Sequence, residues 1–183
     1  MHNAERTERR KIASREPFAA VALLSAAVLF SCAGKAAVPA VAIDGYRTWD
    51  RTTLAPLNFP IPGHESHYRR IFMNPVGSAY RASHGSRDAP FDYPDGTVVV
   101  KEIFDGLDVP ASDEAPVAFT LMVKNRASHD ARGGWLWIVR DAASGKDTVF
   151  TGDFCVNCHG GANESHPYGD KNAKSTFRDY MFY

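Results

Sequence analysis

The amino-acid sequence predicts an α+β fold, an antiparallel β-sheet with short flanking helices. Three observations predict it. Residues 97–104, 117–123 and 135–139 are dense in β-branched and aromatic side chains. Turn residues divide these runs at a repeated spacing, which suits neighbouring strands in a meander. The helical patterns lie outside the run of strands.

In chain order, 38–44 is an extended lead-in, and 46–49 begins a short helical stretch with Tyr46 and Trp49 on one face. The segment 54–63 holds Pro56, Pro60 and Pro62, which cannot continue a helix, and is a loop. Residues 68–73 form a strand stopped by Asn74-Pro75. A helical turn is expected over 76–82, then a surface loop over 83–92, rich in Gly, Ser, Asp and Pro. Tyr93-Pro94-Asp95-Gly96 turns the chain into the strand 97–104, and Gly133-Gly134 turns it into 135–139. After Thr151-Gly152 a short helical piece contains Cys155, and the tail to Tyr183 is polar and aromatic without periodicity.

With 183 residues, 44% hydrophobic and 23% charged, the chain makes one ordinary domain once a leader is set aside, and fibrous or mostly disordered readings are excluded. Lys+Arg and Asp+Glu number 21 each, and no basic run outside the leader could hold a phosphate backbone, so nucleic acid is not expected as a partner.

Residues 1–32 read as that leader and 33–183 as the domain. Arg6, Arg9, Arg10, Lys11 and Arg15 precede the uncharged apolar run 18–30, the order found in a secretory signal. The run is shorter than the roughly 20 residues a spanning helix needs. Leu29-Phe30-Ser31-Cys32 resembles a bacterial lipobox, which would make Cys32 a lipid anchor to the membrane, although Phe30 is bulkier than that pattern prefers. The other reading is cleavage after a small residue such as Ala37, with Cys32 discarded. Both place the domain outside the cytoplasm, in the periplasm or anchored at the outer membrane. Without the leader's five basic and three acidic residues, 16 Lys+Arg face 18 Asp+Glu, a balance suited to a small or neutral substrate.

Cys155-Val156-Asn157-Cys158-His159 is a C-x-x-C-H, the attachment pattern of a c-type haem. Two thiols three residues apart can add to the two vinyl groups of one porphyrin, and the adjacent histidine can ligate iron. On a helix, positions i, i+3 and i+4 share a face, so Cys155, Cys158 and His159 converge, and the helical piece becomes a candidate haem-attachment helix. A shuffled chain of this composition would contain about 0.002 such pentads. A disulfide, a thioredoxin-like redox pair and half of a zinc site are the competing readings. The redox pair lacks its βαβ context, and zinc needs further ligands at matching spacing. One covalent haem c and a Cys32 in the leader would account for all three cysteines.

The string 93–102, the later Gly134-Trp135 strand and the single C-x-x-C-H together resemble the cytochrome P-460 family, which includes the cytochromes c′-beta. The resemblance spans about 46–159. It implies a mainly antiparallel homodimer with a five-coordinate haem, open to hydroxylamine or nitric oxide and passing electrons to a carrier cytochrome. It also places Lys101 where the hydroxylamine-oxidising members bond a lysine to the porphyrin edge, whereas cytochromes c′-beta lack that bond. From the residues alone, Lys101 shares a strand face with Val99 and Ile103, an unusual place for an ammonium unless it snorkels to water. Thr120 aligns with the carboxylate that accepts protons in those oxidisers and cannot replace it near neutral pH. Phe119 and Met122 would wall the iron's open side.

Met73, Met122 and Met181 are candidate sixth ligands, which would make the protein a six-coordinate electron carrier, against ordinary core packing. His64, His67, His84, His129 and His166 fall in loops and are expected to be solvated. Arg69, Arg70 and Arg178 are read as surface charges ahead of propionate partners, and Tyr80, Trp135 and Trp137 as core aromatics.

Overall fold

The computed structural model describes residues 40–183 except 53, 62, 63, 85 and 87. The expectations for the leader and for Cys32 lie outside the described residues. Six strands, β1 (Asp50–Arg51), β2 (His67–Met73), β3 (Val98–Asp105), β4 (Ala118–Lys124), β5 (Trp135–Asp141) and β6 (Asp147–Phe150), form one sheet in sequential order. Every pairing is antiparallel, as the meander reading requires. Helix α1 (Pro75–Ser83) follows β2, helix α2 (Phe154–Gly160) follows β6, and 3-10 turns occupy Tyr46–Thr48 and Gly161–Asn163.

The predicted helical turn is thus a nine-residue helix. Asn74-Pro75 stops the strand and also starts α1: the Asn74 side chain accepts from the Gly77 N–H at 3.1 Å and Pro75 takes the first turn, where its missing donor costs nothing. The same Asn74 oxygen accepts from the Val98 N–H at 3.0 Å, tying the helix start to the beginning of β3. Strands β1 and β6 have no counterpart in the sequence reading. One has two exposed residues, and the other alternates half-buried and exposed positions over four residues, too little of an apolar pattern to register.

Strand alternation sorts the sheet into two faces. On one, Val100, Leu121, Leu136 and Ile138 are buried beneath Val41, Ile43, Tyr46 and Trp49. Glu102, wholly buried on this side, accepts from the Tyr46 hydroxyl at 2.5 Å and pairs with Arg47 at 2.8 Å, which fixes the short N-terminal turn on the sheet. On the other face, Met73, Val99, Met122, Trp135 and Trp137 pack with Phe91, Tyr93 and Met181, and Cys155 and Val156 of α2 lie against this cluster.

Candidate functional site

The cross-strand register builds the floor of the site. Lys101 pairs with Ile71 on one side and Thr120 on the other, and Thr120 pairs with Val139. Two residues along, Val99 pairs with Met122, and Met122 with Trp137. Lys101, Thr120, Met122 and Trp137 therefore share the face that α2 covers. Phe119 does not. It lies one position from Thr120, on the opposite face, where its ring meets Tyr46 edge-on at 5.6 Å. The expectation that Phe119 and Met122 line one wall fails because neighbouring strand residues point to opposite sides.

Helix α2 carries the motif. Cys155 is half-buried, Cys158 is exposed, and both thiols are free. Burial pushes the Cys155 thiol up, opposed by Lys101. The His159 ring lies 4.8 Å from the Trp137 ring and 5.9 Å from Phe182. Its Nδ1 is 3.0 Å from the Tyr180 carbonyl oxygen. A carbonyl can only accept, so Nδ1 carries the proton and Nε2 keeps its lone pair for a metal. Burial, with Lys101 adding to it, lowers the imidazole pKa to about 4, so the ring is neutral at pH 7.

The sequence reading missed His64. Its Nε2 lies 2.7 Å from Lys101 Nζ. Burial first, then the charges of Lys101 and Arg69, lowers the His64 pKa to about 3. The neutral ring therefore accepts and the ammonium donates. Lys101 itself is lowered to about 8, by burial and then Arg69, with Cys158 and Cys155 acting the other way. Arg69 explains how a proline-rich loop presents a histidine here. Only 2% exposed, Arg69 donates to the carbonyls of Leu57 at 3.0 Å and Phe59 at 2.8 Å, and lies 5.1 Å from the Phe59 ring centre. It is a loop organiser and not a surface charge. Pro56, Pro60 and Pro62 signalled a loop, but nothing local in the sequence signalled that an arginine on the next strand would fold it over Lys101.

The other candidates take structural places. Met73, Met122 and Met181 are all buried in the aromatic cluster. Arg178, 4% exposed, pairs with Asp170 at 3.1 Å, and Arg70 donates to the Pro110 carbonyl at 2.9 Å. Trp135 and Trp137 are core residues, as expected. Among the described residues, no group of three or more His, Cys, Asp and Glu side chains is arranged to hold a metal ion.

A family model, Cytochrome P460, matches residues 43–183. The chain belongs to the cytochrome P460 family. Comparison with curated proteins gives no match. Membership implies a haem cofactor, and the residues present fit one: two free thiols, an adjacent neutral imidazole with one nitrogen committed to a carbonyl, and an apolar floor of Met122 and Trp137. In this family member the sheet supplies that floor, α2 the thiols and imidazole, and the tail the carbonyl that orients it.

Proposed function

We propose that this chain is an exported c-type haem protein that binds, or does redox chemistry on, a small nitrogen species such as hydroxylamine or nitric oxide. The observation that carries the reading is the His159 ring, whose Nδ1–H is held by the Tyr180 carbonyl, leaving the lone pair to Nε2, on the same helix as Cys155 and Cys158. In this reading Cys155 and Cys158 provide the thioether sulfurs for one haem, α2 is its attachment helix, and His159 provides the axial nitrogen. When bound, the haem supplies an iron that takes up the small ligand and exchanges electrons with a carrier cytochrome.

The chain's own groups shape that chemistry. Lys101 presents either an ammonium, which would donate to an electronegative ligand atom, or, above about pH 8, a neutral amine that would offer its lone pair on the same side. His64 keeps the Lys101 nitrogen in place. Thr120, beside Lys101, offers a hydroxyl and no carboxylate, which favours ligand binding over rapid proton-coupled turnover. The protein would thus stand nearer the gas-binding cytochromes c′-beta than the fast hydroxylamine oxidisers. An anchor at Cys32, a periplasmic or outer-membrane location and a homodimer belong to the same proposal.

The test is expression with a haem-maturation system, followed by a pyridine haemochrome assay of denatured protein and a ferrous spectrum with added nitric oxide or carbon monoxide. One haem that stays with the polypeptide and binds the gas at once is expected. Pigment-free protein overturns the reading, and haem that refuses the gas replaces it with a six-coordinate carrier. The mass of the haem peptide from wild type and Lys101→Ala shows whether the lysine is bonded to the ring.

A further inference from the structure

We infer that Asp179 is a positioning residue for His159, acting through the Tyr180 backbone; this rests on His159 being the axial ligand. The residues that follow the turn Gly161–Asn163 form neither helix nor strand, yet Asp179 is 1% exposed. Its carboxylate is gripped from three parts of the fold. Lys124 Nζ, at the end of β4, donates to both oxygens at 2.6 and 2.8 Å. The Trp135 indole N–H, at the start of β5, donates at 3.0 Å, and the Tyr93 backbone N–H, in the turn before β3, donates at 2.8 Å. A buried carboxylate with this many donors is fixed in position as well as neutralised.

The grip holds an unusual backbone. Asp179 has φ 50° and Tyr180 φ 67°, so two successive non-glycine residues are left-handed, a conformation that persists only where its surroundings impose it. Tyr180 is held in turn. Its N–H donates to the Asn163 side chain at 3.3 Å, its ring stands edge-on to Trp137 at 6.5 Å, and Gly133 lies so close beneath the ring that a Cβ there would come within 2.5 Å of it. The carbonyl of this same residue accepts the His159 Nδ1–H. Strand β5 thus secures the histidine twice, through Trp135 bonded to Asp179 and through Trp137 against the imidazole.

The device separates orientation from charge. A carboxylate bonded directly to Nδ1 would pull imidazolate character into the axial ligand. Here the carboxylate sits one residue away and is matched by Lys124, so the imidazole receives a neutral acceptor in a fixed place. Loosening Asp179 should weaken the Nδ1–H bond, make Nε2 a poorer donor to the iron, lower the iron–histidine stretching frequency and raise the midpoint potential.

Holoprotein carrying Asp179→Asn, the apolar replacement Asp179→Leu with Lys124→Met, and Asp170→Asn is compared with wild type by resonance Raman spectroscopy of the ferrous state and by potentiometry. Asp170→Asn frees the same tail at its Arg178 pair without touching the carbonyl, so a merely structural role would move all three alike. The expected result is a lower iron–histidine frequency and a higher potential in both Asp179 variants, with Asp170→Asn at wild-type values. Should Asp179→Asn not fold with Lys124 left unpaired, the apolar pair decides. Covalent haem with unchanged frequency and potential in the Asp179 variants overturns the inference. Wild type without covalent haem overturns instead the reading on which it rests.

Discussion

Replacing His64 by Leu removes the acceptor of a lysine ammonium that is already disfavoured by burial. The 2.7 Å contact is a charge-assisted hydrogen bond, a class contributing about 1.5–3 kcal/mol. The two single variants His64→Leu and Lys101→Met and their double variant form a cycle that isolates this term in denaturant unfolding. His64→Leu alone should cost about 2–3 kcal/mol, and Lys101→Met in that background should recover most of it, since an unpaired buried charge is worse than an apolar side chain. The sign of the pH dependence follows from the two groups. Lys101 ionises at about 8, below its ordinary 10.5, so the ammonium exists in the fold only below about pH 8. His64, lowered to about 3, stays an acceptor down to that value. The coupling should therefore be level from about pH 4 to about pH 7 and fade as pH rises through about 8. A coupling below about 0.5 kcal/mol at pH 6, or one that persists undiminished at pH 10, refutes the assignment of donor and acceptor.

Three further outcomes are expected. Gly133→Ala places a Cβ against the Tyr180 ring at a residue with φ 61°, and should cost about 2–4 kcal/mol in unfolding experiments; a loss under 1 kcal/mol would show that Tyr180 moves freely. Phe119→Ala should lower stability by about 2 kcal/mol while leaving ferrous carbon monoxide affinity at the wild-type value, and a several-fold affinity change would return Phe119 to the pocket side. Burial lowers His159 to about 4 and His64 to about 3 in the folded chain against 6.5 ordinarily, so the unfolded state takes up protons first as pH falls. Stability fully present above about pH 6.5 should then decline toward about pH 4, more gently in His64→Gln, as read by thermal unfolding of haem-free chain across that range; equal slopes in the two proteins would count against the buried His64.

The four central strands, β2 to β5, were legible because they are long and rich in β-branched and aromatic residues, with Pro-Asp-Gly and Gly-Gly turns before β3 and β5, and the motif because its chemistry resides in five consecutive residues. Strand order alone does not set Lys101 against Thr120; that pairing depends on the register, which the long connection between β3 and β4 leaves open in the sequence. What was not legible depends on contacts distant in sequence. His64 sits in a loop whose course is set by Arg69, and Asp179 lies in an aperiodic tail whose burial depends on Lys124, Trp135 and Tyr93. Neither places a periodic signal in its own neighbourhood. Phe119 differs for another reason: it lies three residues from Met122 on β4, so the two-residue repeat of a strand puts the two on opposite faces.

The strictly sequential strand order bears on assembly. A chain released from its amino end completes 50–150, and with them all six ribbons of the sheet, before Cys155 emerges. Neighbour-to-neighbour hairpins of this kind form without waiting for distant segments. The bed on which a pigment would rest can thus be laid down before either sulfur emerges, and the residues after α2 can then close over the imidazole as a latch.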